Sequence, residues 1–387
     1  MGLLQRIFGG DDYQAEQKKK IDGYFKTLTA YRPAFTSWDG ALYESELVRS
    51  AIDARARNIS KLKVEFNGDA NSTLTDALRH APNGFQTWSQ FLYRASTILD
   101  VCNTLFICPV EDVMGRTVGY TPILPTRSEL VKDEDDNIWL RYRFSGNKTG
   151  VIEYDRVAIM TKHQYYNDFF GDSNHALDDT MKLIHMQNQG IEEAVKNSAT
   201  YRFMAQLNNF AKAEDLAKER ERFSEDNLSR DSGGGMLLFP NTYTNIQQIK
   251  DSPYTVDAEQ MKLIQTNVFN YYGVNEDVLQ NKAYGDSWSA FYEGAIEVFS
   301  IQFSEAMTKC MYTEREQAQG NSVMATANRL QYLSNKDKLE VSAQMADRGI
   351  MTRNEIREIW NLTPIEDGDE AIIRGEYKMV TEEANNE

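Results

Sequence analysis

The sequence predicts an α+β fold, and three observations carry that expectation. Stretches near both ends repeat apolar residues at helical spacing, a middle stretch changes to a period of two, and turn residues punctuate the change. At 387 residues the chain is long enough for two or three domains, with ample surface to bury a core.

Up to about Trp38, including the run Lys18 to Lys20, the chain shows no committed pattern. From Ser45 a helix is expected, because Leu47, Val48, Ala51, Ile52, Ile59 and Leu62 share one face that Arg55 interrupts. Thr87 and Gln90 stand at capping-box spacing. Behind them Trp88, Phe91, Leu92, Ala95, Ile98, Leu99, Cys102, Leu105 and Phe106 continue at helical spacing as far as Pro109. Between Pro109 and Phe170 the period becomes two. In IWLRYRF, Ile138, Leu140, Tyr142 and Phe144 alternate with Trp139, Arg141 and Arg143, while MGRTVG, DEDDN and SGNKTG mark turns.

A second long helix is expected over Ala176 to Ser198. Leu177, Met181, Ile184, Asn188, Ile191, Val195 and Ser198 alternate steps of four and three, which makes a narrow seam. The β-rich stretch thus lies between two helices, as if carried on a stalk. Then come a strand-like YRFMAQL, a charged helix from Lys212 in which Glu214 can pair with Lys218, and the break SGGG at Ser232 to Gly235 before further strand. The helix Asp257 to Tyr272 closes at Gly273, a suitable C′ glycine. A polar loop follows, and then a helix with Trp288, Phe291, Tyr292, Ala295, Phe299, Phe303, Ala306, Met307 and Cys310 on one stripe. A helix near Ala325 to Asp347 and a capping box at Thr352 and Glu355 end the pattern, and the tail TEEANNE is expected to be disordered.

Composition narrows the function. A formal charge of -16 argues against a protein that grips nucleic acid by neutralising phosphates. Cys102, Cys108 and Cys310 fall in apolar helical contexts without ligand spacing and read as reduced core residues. The N-terminal MGLLQRIFGGDDYQ is too short in apolar residues for a signal peptide or span, and Gly2 lacks the downstream Ser or Thr of a lipid anchor. No GxxxxGK[ST] is present, so a nucleotide-cradling loop is not expected.

Two GDS triplets, Gly171 to Ser173 and Gly285 to Ser287, raise a serine hydrolase as an alternative. That chemistry needs an acid-oriented histidine, and His80, His163, His175 and His185 show no such pattern. His175 and His185 point to different helix faces, so no metal set is expected, and Asp178 and Asp179 suit the positive end of a helix dipole. No catalytic residue and no cofactor are expected.

Six stretches in consistent order carry a family resemblance: ESELVRSAIDARARNISKL, PNGFQTWSQFLYRASTILDVCNTLFICPV, GDSNHALDDTMKLIHMQNQGIEEAVKNSA, GGGMLLFPNTYTNIQQI, VDAEQMKLIQTNVFNYYGVNEDVLQ and MTRNEIREIWNLTPIEDGDE. Together, from about Ala41 to Glu370, they resemble the HK97-like portal proteins of tailed bacteriophages. The match departs at NHALDD, and the first forty residues correspond to nothing in the family.

The resemblance implies a non-enzymatic portal fold. Residues 1–86 would begin the wing, 87–108 form a stem helix, 109–175 the clip and 176–199 a second stem helix. Residues 200–320 would complete the wing, with a tunnel loop at 275–287 and a long helix at 288–312, and 321–387 would be the crown and tail. It also implies a homo-oligomeric ring, usually dodecameric, at a capsid vertex of the virion, assembled in the bacterial host cytoplasm without a membrane. Its partners would be the terminase large subunit, a head–tail connector, the major capsid protein or scaffold, and double-stranded DNA passing without sequence-specific contact. A virion adaptor or scaffold that never surrounds DNA is the non-enzymatic alternative. For the loop, Asn275, Glu276, Asp277, Gln280, Asn281, Lys282 and Asp286 would line the channel. They make it polar, flexible and poor in phosphate grips, with Lys282 its only cation.

Overall fold

The structure, a computed structural model, describes residues 26–31, 45–144, 148–198, 203–207, 218, 221, 243–248, 258–327 and 335–370. The chain forms two compact units, one of residues 1–178 and 266–387, the other of residues 179–265.

In the larger unit, β1 (Lys26–Tyr31) precedes α1 (Glu46–Ile59), β2 (Lys63–Asn67), α2 (Ser72–His80) and α3 (Trp88–Cys102). The apolar face of α1 is fully buried at Val48, Ala51, Ile52 and Ile59. The capping box of α3 is present: Gln90 N donates to Thr87 Oγ1 at 3.3 Å and Thr87 N to Gln90 Oε1 at 3.0 Å. The helix does not run to Pro109. Asn103 takes a left-handed φ of 55° and ends it, and Leu105, Phe106 and Cys108 belong to β3 (Thr104–Glu111). Cys108 is therefore a strand residue, buried like Cys102. Seven of the eight β3 residues are buried, and a run covered on both faces has no period by which sequence separates strand from helix.

The strand β3 is the centre of an antiparallel sheet ordered β4-β3-β8, with β4 (Thr117–Ile123) and β8 (Ala158–Thr161) as neighbours. Beside it lies a four-stranded sheet, β1-β5-β6-β7, adding β5 (Arg127–Lys132), β6 (Ile138–Arg143) and β7 (Thr149–Glu153). The alternation in β6 holds, with Leu140 and Tyr142 buried and Arg143 exposed. The patternless N-terminal region contributes β1, which pairs with β5 through Lys26 opposite Lys132. Phe106, Cys108, Ile123, Leu130, Leu140, Tyr142, Val157 and Phe170 make one core across this region. The β-rich stretch is thus packed into the larger unit and is not held out on a stalk.

The separate unit is residues 179–265. The chain enters it along α4 (Asp178–Ser198), pairs β9 (Phe203–Leu207) antiparallel with β10 (Tyr243–Gln248), and leaves along α5 (Ala258–Tyr271). On α4, Met181 is buried and Ile184 and Ile191 are half-buried as the spacing predicts, but Asn188 is exposed and Gln187 takes the half-buried place, and the side chains of Val195 and Ser198 lie outside the described residues. The charged run from Lys212, apart from Lys218 and Glu221, the SGGG break and the acidic tail lie outside the described residues.

Back in the larger unit come α6 (Glu276–Leu279), α7 (Asp286–Phe291), a π turn (Tyr292–Ile296) and α8 (Glu297–Met311), the last three forming one long helix. Its stripe is buried at Phe291, Ala295, Phe299, Phe303 and Met307. After α9 (Glu314–Ala318), Ala325 sits in β11 (Ser322–Thr326), paired with β2, where a helix is expected from sequence. The helix α10 (Asn335–Asp347) begins later, and α11 (Arg353–Ile359) opens on the Thr352 and Glu355 capping box. Asn354 explains the late motif: its Oδ1 accepts from Ile365 N at 2.8 Å and its Nδ2 donates to Asp369 Oδ1 at 2.8 Å, clamping the following turn.

Candidate functional site

The loop between α5 and α7 starts from a Schellman ending. Gly273, at φ 66°, donates to Asn270 O at 3.1 Å, and Val274 N donates to Phe269 O at 3.0 Å. Val274 and Val278 are buried and pin the loop to the unit. Asn275 caps α6 by accepting from Val278 N at 2.9 Å, and its Nδ2 donates to Ser287 Oγ at 3.3 Å across the loop base. Asn281 turns the chain at φ 57°, so that Lys282 N and Ala283 N both reach Asp277 O, at 2.7 and 3.1 Å. Asn275, Glu276, Asp277, Gln280, Asn281, Lys282 and Asp286 are all exposed, as a solvent-facing role requires. The loop is folded on its own hydrogen bonds. Lys282 Nζ donates to Gln280 Oε1 at 2.7 Å, and Gln280 Nε2 to Glu276 Oε1 at 3.0 Å.

The footing of this loop is a buried polar knot. Arg55 Nη1 donates to Tyr272 O at 3.0 Å, fixing the last residue before Gly273. Asp100 holds Arg55 Nε at 3.0 Å and Lys162 Nζ at 2.9 Å, with only 1% of its side chain exposed. Lys162 also lies 5.3 Å from the centre of the Tyr272 ring. Burial lowers the Lys162 pKa against the opposing pull of Asp100. Around this triad, Asn174 Nδ2 donates to Val101 O at 2.9 Å, while its Oδ1 accepts from Asn103 Nδ2 and Tyr271 OH, both at 2.7 Å. The segment that leads into α4 and the one that follows α5 are thereby tied to the same end of α3. His163 lies against Tyr271 with ring centres 5.0 Å apart, and burial, then Lys162, lower its pKa below 6.5.

Both GDS triplets have backbone explanations. A Cβ on Gly171 would stand 2.1 Å from Asn103 O and 2.3 Å from Lys162 O, so the approach of two strands' ends demands glycine. Gly285 takes φ 56° to launch α7. Ser287 Oγ accepts from Asn275 Nδ2, and the His163 ring near the first triplet packs on Tyr271.

In the sequence Arg55 reads only as a break in an apolar face, and Asp100 and Lys162 do not stand out. The signal was there in part: an Asp inside the greasy run of α3 and an Arg inside that of α1 each need a buried partner. Their pairing, and the lysine supplied after β8, required the tertiary structure.

The chain combines a core of two packed sheets, a long helix broken by a π turn and an exposed loop held at its base. A profile of the family described as phage portal protein matches residues 46–361, and the chain belongs to that family. Solved structures agree on the fold. The neck of a native GTA particle, computed with C12 symmetry, aligns at TM-score 0.61 and 12% identity, over 89% of this chain and 98% of that one. The neck of an empty GTA particle, computed with C6 symmetry, aligns at 0.61 and 13%, over 87% and 97%. A chain from the virion of a native gene transfer agent particle aligns at 0.55 and 13%, over 84% and 92%. No curated protein matches the sequence. Among the described residues no helix is long and apolar enough to cross a membrane.

Proposed function

We propose that this phage portal family protein assembles as a homo-oligomeric ring at one capsid vertex and that its loop from Asn275 to Ser287 faces double-stranded DNA moving through the centre. The observation that carries the reading is the loop itself. It is exposed at Asn275, Glu276, Asp277, Gln280, Asn281, Lys282 and Asp286, acidic at three of these, and supplied with one cation, Lys282, whose ammonium bonds Gln280. A collar of that composition offers the duplex few phosphate grips, each of which would add a barrier to sliding. Like charge acts over roughly 8 Å at physiological salt, enough to keep a duplex off the wall. The Arg55, Asp100 and Lys162 knot then serves to hold each copy of the loop in one orientation.

Motor and connector docking, which the sequence reading gives to 109–175, fits the smaller unit better. That unit is reached and left by α4 and α5, while 109–175 is packed in the core of the larger one. The terminase large subunit supplies the force, and α10 and α11 belong to the crown. The ring is supported by the C12 symmetry of the similar neck structure. Replacing residues 276–286 by a short Gly-Ser bridge tests the reading. Rings should persist by negative-stain electron microscopy while DNA packaging falls at least tenfold. Undiminished packaging by the replaced chain would count decisively against a channel role for the loop.

A further inference from the structure

The four-stranded sheet ends in two edges. Among the described residues β1 pairs only with β5 and β7 only with β6, so the order β1-β5-β6-β7 puts these two strands on opposite sides of one sheet. All the pairings are antiparallel. With an even number of strands, β1 and β7 therefore run in opposite directions. Neither contains a proline, one of the usual guards of a sheet edge.

The hydrogen-bond phase fixes what each edge offers. Asp133 N donates to Asn137 O at 3.1 Å and Phe144 N to Lys148 O at 2.9 Å, and bonded pairs alternate along each hairpin from those points. Val131 and Glu129 thus turn their backbone groups to Trp139 and Arg141, while β7 bonds β6 through Gly150 and Ile152. That leaves the backbone N–H and C=O of Val151 and Glu153 pointing outward. On β1, Thr27 lies opposite Val131 and Ala30 opposite Glu129, so their backbone groups point outward as well. The free groups of both edges stand in the same rows of the sheet: Thr27, Val131, Trp139 and Glu153 in one, Ala30, Glu129, Arg141 and Val151 in the other. Exposed Glu153 and Asp155 lie at the end of β7 that shares its rows with the start of β1 at Lys26, so the two edges also differ in charge there.

We infer that the β7 edge of one copy pairs with the β1 edge of the next, joining the four-stranded sheets into one antiparallel belt around the assembly. The inference rests on the ring reading above. Copies related by a small rotation about a common axis keep nearly the same strand directions, so β7 meets the next β1 antiparallel without either sheet turning over. In the unshifted register Glu153 faces Thr27 and Val151 faces Ala30, and outward backbone groups meet outward backbone groups. The contact uses two different surfaces, as a closed heterologous ring requires, and strand addition at an open edge supplies its main-chain bonds.

The test uses the full chain. Residues directly opposite in an antiparallel pair lie about 5.5 Å apart at Cα, within disulfide reach, so Thr27→Cys/Glu153→Cys should link neighbouring copies on mild oxidation. A ladder of covalent oligomers is expected on a non-reducing gel. Thr27→Cys or Glu153→Cys alone should give neither ladder nor dimer, and the two single variants mixed before assembly should give dimers and nothing larger. Glu153→Pro suits the backbone, since Glu153 already takes φ -58°, and it removes one outward N–H. It should keep the wild-type melting temperature and need about fivefold more protein to assemble, read by mass photometry. Rings of the double variant seen by negative-stain electron microscopy without a ladder, or assembly of Glu153→Pro at the wild-type concentration, overturn the edge contact and leave the ring reading standing. Covalent dimers from one single variant would place like edges together and overturn it equally. Wild-type chain that never leaves the monomer sinks the ring reading itself.

Discussion

Asp100 balances two cations inside the protein, and removing its charge leaves Arg55 and Lys162 buried against each other. For Asp100→Asn we expect a loss of roughly 3–5 kcal/mol in urea unfolding, the usual cost of breaking one partner from a buried pair. A change below about 1 kcal/mol would show that water already screens the site. Gly171→Ala should also destabilise, by about 2 kcal/mol or more, since the added carbon meets two carbonyl oxygens that belong to separate segments. Gly285→Ala, strained only by its left-handed φ, should cost less, about 1 kcal/mol. His163 gives a pH signature. Its folded pKa lies below 6.5, so as pH falls through 6.5 the unfolded chain takes up the proton first and stability drops until the lowered value is reached. Wild type should therefore lose more melting temperature between pH 7.5 and 5.5 than His163→Asn. Identical slopes would place the imidazole in water.

At the scale of elements, the loop from Val274 to Ser287 behaves as a small folded body with two anchors. Asn275→Ala removes the α6 cap and the link to Ser287, and faster amide exchange at Val278 and Lys282 is expected without a global change in melting temperature. Exchange that rises equally throughout α5 and α7 would mean the loop and its flanking helices open as one. Changing Glu276, Asp277 and Asp286 together to Lys should leave the fold intact, since all three are exposed, yet slow DNA translocation in a salt-dependent way. Translocation at the wild-type rate in low salt would exclude these side chains from the DNA path. The π turn at Tyr292–Ile296 belongs to this scale too. It adds a residue to the helical repeat between Trp288 and Phe299 and so lets one stripe remain buried along the full helix.

Over the whole molecule, charge and architecture point the same way. A chain of formal charge -16 places its polar loop in solvent and pairs the buried Arg55 and Lys162 on Asp100. The profile match and the likeness to the GTA necks concern the fold, and the division into units concerns how the parts are used. The family profile spans all of the smaller unit and most of the larger one, so both parts belong to the shared architecture.

By itself the sequence determined the α+β class, the two capping boxes at Thr87 and Thr352, the start of the α4 seam, the buried stripe of the long helix and the polar loop ahead of it. These are local matters: a cap, a period or a Gly with positive φ is decided by neighbours a few residues away. Only the tertiary structure decided where α3 stops, because a run buried on both faces carries no period. It alone gave β1 to a sheet, since the partner strand lies far along the chain, and gave Ala325 to a strand beside Val64. It also showed that the β-rich stretch packs into the main core and that residues 179–265 form the separate unit. The footing of the loop belongs to the same category. Arg55, Asp100, Lys162 and Asn174 are scattered over four segments, and they are tolerated inside the protein only because the fold sets Arg55 and Lys162 at 3.0 and 2.9 Å from Asp100 and Asn174 Nδ2 at 2.9 Å from Val101 O.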